Sequence, residues 1–145
     1  RAGLAQIPAA SRLTERIEGV LALHAGGASY EQAMAYVTAR WDENRGHDWC
    51  HTISNAEIVA VALLWGEMDL TKTICRAVMP GFDTDCNGAT AGSILGLVLG
   101  ASNLPAKLTD PLNDTLYTGV AGYHRVSLGQ MADETLELIA KVQGA

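Results

Sequence analysis

The longest uncharged segment of the chain sets the strongest limit on its fold. This segment includes eighteen consecutive residues, from Asn87 to Leu104, without a charged side chain. Glycine recurs at every fourth residue of this segment, at Gly88, Gly92, Gly96 and Gly100. This spacing puts the glycines on one face of an α-helix, where each costs about 0.5–1 kcal/mol relative to alanine. Such a helix needs a close neighbour on that face, so we predict a buried helix from about Asn87 to Ala101.

A transmembrane helix is the alternative for this segment, because small residues spaced by four also mediate helix contacts in membranes. Its apolar core is only about fourteen residues long, whereas a membrane span needs about twenty. Asn87, Thr90 and Ser93 make the segment more polar still. We therefore expect a helix at the centre of a soluble bundle, and no membrane partner.

Helix-start signals recur along the rest of the chain. Ser11 can cap a helix over about residues 12–24, and Asp69 can cap a short helix that ends near Met79. Three more helices are predicted to begin at a capping box, a serine followed three residues later by Glu or Gln, at Ser29, Ser54 and Ser127. Residues 115–120 are the only, and weak, strand candidate. The pattern predicts an all-α protein of about six helices.

The last predicted helix begins after Ser127 and extends to about Val142. Four of its residues are spaced so that they can form one inward-facing stripe: Met131, Thr135, Leu138 and Val142. The spacing is therefore compatible with a helix that turns this stripe inward.

Composition and charge exclude several classes of protein. The net charge is −6 and no cluster of Lys and Arg occurs, which argues against a nucleic-acid partner. Three cysteines, an odd number without a CxxC pair, argue against a disulfide scaffold and favour a reducing compartment. The first thirteen residues lack the apolar segment of a secretory signal. We therefore expect a cytoplasmic protein.

Two carboxylates, Asp83 and Asp85, lie directly before the uncharged helix. The simplest interpretation is local: Asp85 caps the helix while Asp83 interacts with its dipole. However, two like charges one residue apart repel each other, and a buried helix would draw them inward. No Lys or Arg lies between Arg76 and Lys107 to neutralise them. The alternative is therefore a hard cation such as Mg²⁺, on which the two carboxylates can converge.

The segment around this pair resembles the C-terminal signature of the ADP-ribosylglycohydrolase family, the group also linked to J1 crystallin. The segment runs from Gly81 to Pro105, GFDTDCNGATAGSILGLVLGASNLP. The matching residues are Gly81, Asp83, Thr84, Asp85, Asn87, Ala89, Gly92, Gly96, Gly100, Leu104 and Pro105. Ser54–Glu57 and the apolar residues after it also fit the family. The resemblance implies an orthogonal all-α bundle, of which residues 1–145 are the C-terminal part.

The resemblance also implies a function and a set of ligands. Family members hold two Mg²⁺ ions, or Mn²⁺, and the match carries Asp83 and Asp85 over as metal ligands. In relatives the metals hold a ribose while water attacks its anomeric carbon, which releases ADP-ribose from a modified side chain or a related ADP-ribosyl compound. The implied partners are an ADP-ribosylated substrate and the N-terminal half of the same enzyme.

Two departures from the family pattern qualify this expectation. Cys86 stands where the family has a threonine ligand, and a thiol is a poor ligand for hard Mg²⁺. The Thr-Asp-Asp run of the family's N-terminal half does not occur, and no residue is a convincing general base, so the catalytic residue is unassigned. We expect this chain alone to be inactive. The alternative is a non-catalytic member, either ADP-ribose-binding or structural like the crystallin.

Other candidate residues carry weaker signals. His47 and His51 flank Trp49 and Cys50, but a zinc site would need a further ligand at suitable spacing. A place at the rim of a cleft, or in a structured surface loop, suits this segment better. Thr90 and Ser93 follow the carboxylate pair, where a helix N-terminus can bind phosphate once metals neutralise the carboxylates. A nucleophilic role for Cys86 is disfavoured by its acidic neighbours.

Overall fold

Seven α-helices and one small antiparallel sheet form the secondary structure of residues 2–144, which a computed structural model describes. The predicted all-α class is therefore confirmed. The chain forms two compact units, Arg1–Asn103 and Leu104–Ala145. Each unit is described by itself.

The first unit contains five α-helices. They are α1 (Arg12–Ala25), α2 (Tyr30–Thr38), α3 (Thr52–Trp65), α4 (Leu70–Val78) and α5 (Thr84–Leu99). Short 3₁₀ turns lie at Leu4–Gln6, Glu43–Arg45 and Ala101–Asn103. The caps predicted at Ser11, Ser29 and Asp69 are confirmed, and Ser29 forms the complete capping box with Gln32.

The cap predicted at Ser54 is wrong. Helix α3 begins two residues earlier, at Thr52, and His51 is its N-cap residue. The His51 Nδ1 atom accepts a hydrogen bond from the Ile53 N–H at 3.2 Å. Ser54 is fully buried in the first helical turn, where its hydroxyl donates to the His51 carbonyl. The sequence therefore contains the capping-box pattern, but Ser54 lies inside the helix and does not cap it.

Helix α3 lies at the centre of this unit and packs against α1, α2, α4 and α5. The main core cluster consists of Val20, Ala33, Val37, Ile58, Val61 and Trp65. A second, smaller cluster joins α3, α4 and α5 through alanines, at Ala62, Ala77 and Ala91. Small side chains at these positions let the three helices approach one another closely.

Helix α5 is buried on one face only, and this differs from the prediction of a central helix. Its buried residues include Gly88 and Leu95, whereas Leu97 is 86% exposed. The close approach predicted for the glycines is confirmed at Gly88 and Gly92, on the α4 side, but not at Gly100, which is the C-cap residue with nothing within 4 Å of its Cβ position. A Cβ atom on Gly88 would lie 3.0 Å from Val78 Cγ1, and one on Gly92 would lie 3.4 Å from Ile74 Cδ1.

A buried ion pair ties α1 to α3. Glu57 is fully buried and accepts a hydrogen bond from Arg16 Nε at 2.7 Å and another from Trp41 Nε1. Arg16 also donates to the Tyr36 carbonyl at 3.1 Å. Burial raises the pKa of Glu57, while the Trp41 hydrogen bond and the Arg16 charge act in the opposite direction. This network connects α1, α2 and α3 in the interior.

The turn after α3 is closely packed, and this leads to a prediction for Gly66→Ala. A Cβ atom at this position would lie 1.9 Å from Thr73 Oγ1 and 2.7 Å from the Ala62 carbonyl oxygen. We expect the substitution to lower the free energy of unfolding by about 1–3 kcal/mol, because an overpacked site must shift its neighbours. Urea denaturation measures the effect. Gly3→Ala is the control, since nothing lies within 4 Å of its Cβ position, and equal losses in the two variants would contradict the prediction.

The second unit contains two helices and the sheet. Its elements are α6 (Ala106–Thr109), β1 (Thr115–Tyr117), β2 (Arg125–Ser127) and α7 (Leu128–Gln143). The strands are antiparallel, with Leu116 opposite Val126. Strand β1 lies within the segment proposed as a weak strand, whereas β2 was not predicted.

Helix α7 begins and ends close to the predicted residues, and Ser127 caps it. The predicted inward stripe is wrong, however, because no residue of α7 is buried. Leu138 is 60% exposed and Val142 is 77% exposed. Asp114 supports the start of this helix by accepting from Ser127 Oγ and from the Gly129 N–H, and these hydrogen bonds lower the pKa of its carboxyl group.

Within residues 2–144 we find no helix with the length and hydropathy of a membrane span.

Candidate metal centre

The loop between α4 and α5 places the carboxylate pair at the N-terminus of α5, the glycine-bearing helix. Gly81 and Phe82 both have positive φ angles, 80° and 62°, which turn the chain sharply after α4. Helix α5 then begins at Thr84, three residues earlier than predicted. Asp83 is consequently the N-cap residue and Asp85 lies within the first turn.

Neither carboxylate serves the capping role that the simplest interpretation assigned. Asp85 is not the N-cap residue, so that part of the interpretation is wrong. Asp83 occupies the N-cap position, but its side chain makes no capping hydrogen bond. Its carboxylate is therefore not used by the helix cap. The two negative charges still favour this end of the helix through its dipole.

Asp83, Asp85 and Cys86 form a cluster with the spacing of a metal site. One ligand atom from each residue lies within 4.8 Å of the others. Asp83 is half-buried, whereas Asp85 and Cys86 are exposed. The expectation that the helix would draw both carboxylates into the interior is thus wrong for Asp85, because α5 has a solvent-exposed face.

The three side chains differ in their suitability for a hard cation. Two carboxylates are the ligand type that Mg²⁺ and Mn²⁺ prefer. The pKa of the Cys86 thiol is raised by hydrogen bonding to the Asp83 carboxylate and by the negative charges of Asp83 and Asp85. A neutral thiol is a poor ligand, so Asp83 and Asp85 fit a divalent cation and Cys86 does not.

The side chain of Asn55 forms hydrogen bonds to the loop between α4 and α5 (the carboxylate loop) and to the first turns of α5. Its Oδ1 atom accepts from the Asp83 backbone N–H at 3.2 Å and from Asn87 Nδ2 at 2.8 Å. Its Nδ2 group donates to the carbonyl oxygens of Trp49 and His51 at 2.9 and 3.0 Å. The contacts of Asn55 with Asp83 and Asn87 join segments far apart in the chain, so no local sequence pattern reveals them.

The histidines before α3 belong to an aromatic cluster. The ring centroids of His47 and His51 lie 4.9 Å from that of Trp41, and His47 lies 5.9 Å from Phe82. His47 Nε2 is 3.0 Å from Ser54 Oγ, and His51 caps α3. Neither histidine joins a metal-ligand cluster in the part of the chain that the structure describes. Their contacts favour the structured-loop interpretation over zinc.

A surface cavity of about 440 Å³ lies next to this aromatic cluster. It is lined by Ala35, Thr38, Ala39, Trp41, Asp42, Asn44, Pro80 and Phe82. Phe82 directly precedes Asp83, so the cavity and the carboxylate loop share one segment of chain. The phosphate-binding candidates Thr90 and Ser93 are exposed on α5, beyond the first turn.

These features define a helical protein with a candidate divalent-metal site at the N-terminus of a glycine-bearing helix. Residues 1–144 match the family model described as ADP-ribosylglycohydrolase, so the chain belongs to that family. The resemblance inferred from the sequence is thereby confirmed, and an ADP-ribosylglycohydrolase-like function is supported in general. Membership also implies dependence on a divalent metal. Neither the curated proteins nor the solved structures contain a match to the chain.

Proposed function

We propose that this chain supplies the C-terminal half of the active site of a metal-dependent ADP-ribosylglycohydrolase. Asp83 and Asp85 are the proposed metal ligands, and residues 1–145 are the C-terminal part of the enzyme domain. The observation that carries the proposal is the carboxylate pair at the head of α5, with the Asp83 side chain unused by the helix cap. Family membership implies dependence on a divalent metal, for which this pair offers two ligands.

The residues present fit Mg²⁺ or Mn²⁺ through two hard oxygen ligands. A divalent cation bound there would orient the ribose and activate a water molecule for attack on the anomeric carbon. The chain's own contribution is to hold two carboxylate ligands for the cation beside the reacting sugar. The substrate class is an ADP-ribosylated side chain or a related ADP-ribosyl compound.

The remaining ligands and the general base are assigned to the N-terminal half of the same enzyme. Cys86 is not counted in the ligand set, because a thiol is a poor ligand for hard Mg²⁺. A site with only two hard ligands is expected to bind metal weakly. The chain alone should therefore bind Mn²⁺ with low affinity and fail to turn over substrate.

Two measurements test this proposal. Titration of the 145-residue chain with Mn²⁺, followed by electron paramagnetic resonance, should show weak, saturable binding. Adding the N-terminal half should tighten Mn²⁺ binding and start the release of ADP-ribose from an ADP-ribosylated protein. If the complete enzyme binds metal yet leaves every ADP-ribosyl compound intact, the hydrolase assignment is wrong.

A non-catalytic role is the second candidate, and Cys86 is the observation that favours it. A thiol in place of an oxygen ligand weakens the site for hard cations, as a protein that only binds ADP-ribose would tolerate. Calorimetry separates the two candidates. Tight ADP-ribose binding by the complete protein, without any hydrolysis, would support the non-catalytic role.

A further inference from the structure

We propose that Asn55 is a positioning residue that fixes the metal ligand Asp83 relative to α3. The inference rests on the proposed function, because it concerns the same metal site. It extends that function to a buried residue that touches neither metal nor substrate. The argument begins with the hydrogen-bonding capacity of the Asn55 side chain.

A side-chain amide has two donor hydrogens and two acceptor lone pairs. Asn55 uses all four: Oδ1 accepts from the Asp83 N–H and from Asn87 Nδ2, and Nδ2 donates to the Trp49 and His51 carbonyls. The side chain is buried, with only 9% of the residue exposed. A buried amide with every bond satisfied has one favoured orientation, since any rotation leaves polar groups unpaired.

Of the four hydrogen bonds of Asn55, the one from the Asp83 N–H bears directly on metal binding, because Asp83 is a proposed metal ligand. The Asp83 carbonyl accepts the first hydrogen bond of α5, from the Asn87 N–H at 2.9 Å, but its own N–H lies before the helix, and within residues 2–144 this N–H has Asn55 Oδ1 as its one acceptor. The preceding residue, Phe82, has a positive φ angle of 62°, so the loop has an unusual conformation that needs support. Asn55 supplies this support from the first turn of α3.

The hydrogen bond from Asn87 Nδ2 to Asn55 Oδ1 holds the chain on the C-terminal side of the carboxylate pair. Asn87 is 3% exposed and lies one turn into α5, so Oδ1 of Asn55 holds the helix as well as the loop before it. Asp83 is itself one of these two anchoring points, and Asp85 lies between them in the chain. Their separation, which sets whether they can share a cation, therefore depends on Asn55.

The test compares Asn55→Ala with Ser54→Ala. Ser54 is its matched control, because it is also buried in the first turn of α3 and bonds to the His51 carbonyl, yet makes no hydrogen bond to the carboxylate loop. Asn55→Ala should weaken Mn²⁺ binding about 10–100-fold, the usual effect of losing an outer-shell partner. Ser54→Ala should leave the Mn²⁺ affinity unchanged even where it lowers the melting temperature. Equal Mn²⁺ affinities in the two variants would overturn the inference.

A second measurement needs no metal. Hydrogen exchange by NMR should show the Asp83 amide exchanging at least about tenfold faster in Asn55→Ala, while the amides in the middle of α5 keep their protection. An unchanged Asp83 exchange rate in folded Asn55→Ala would overturn the inference.

The two measurements also separate this inference from the proposed function. If the native chain binds no Mn²⁺ but Asn55→Ala still releases the Asp83 amide, the metal site is wrong and the placement of Asp83 by Asn55 is supported. If the native chain binds Mn²⁺ and Asn55→Ala changes neither affinity nor exchange, the metal site stands and the positioning role is lost.

Discussion

Replacing Asp83 or Asp85 with alanine is expected to abolish the Mn²⁺ binding of this chain. Each substitution removes one of only two hard oxygen ligands, so the affinity should fall at least about 100-fold, the upper end of the effect of losing an outer-shell partner. Hydrolysis by the complete enzyme should fall with it. Both effects follow from the cluster at the head of α5, where one ligand atom of each carboxylate lies within 4.8 Å of the other. Mn²⁺ titration and an ADP-ribose release assay measure them.

The free energy of unfolding without metal should change little. Removing one of two neighbouring like charges relieves repulsion, which offsets the lost interaction with the helix dipole, and the Asp83 side chain makes no capping bond that could be lost. Asp133→Ala is the control for net charge, because Asp133 is an exposed residue of α7. Retention of full Mn²⁺ affinity in both Asp83→Ala and Asp85→Ala would remove the basis of the metal site.

The carboxylate pair was predictable from the sequence because its signal is local. A D-x-D spacing, the absence of nearby Lys or Arg and the uncharged helix behind it can all be read from one segment. The exact start of α5 was not predictable to the residue. Helix boundaries depend on backbone geometry, here the positive φ angles of Gly81 and Phe82, which no spacing of side chains reveals.

The hydrogen bonds between Asn55 and the carboxylate loop were not predictable, because they join segments that are distant in the chain. Asn55 and Asp83 are 28 residues apart in the chain and meet only after α3 and α5 have packed together. A local pattern instead suggested a capping box at Ser54, and the structure places that residue inside the helix. The exposed stripe of α7 is a similar case: its periodicity indicated a helix correctly but did not determine which face is covered.

Replacing Glu57 with alanine is expected to cause the largest loss of stability. The substitution leaves the buried Arg16 without its carboxylate and Trp41 Nε1 without its acceptor. Removing one partner of a buried ion pair costs about 3–5 kcal/mol, because the remaining charge is uncompensated. A domain of this size has about 5–15 kcal/mol of total stability, so much of the molecule should be unfolded at modest urea concentrations. Urea denaturation followed by circular dichroism measures the loss.

Two further variants show whether the unpaired charge is the cause. The double variant Arg16→Met with Glu57→Leu removes both charges and keeps similar volume, so it should recover a large part of the stability lost in Glu57→Ala. Glu67→Ala breaks an exposed ion pair with Lys72, which should cost far less stability than Glu57→Ala because water screens the pair. A double variant as unstable as Glu57→Ala would mean that packing around α1 and α3, rather than the buried charge, accounts for the loss.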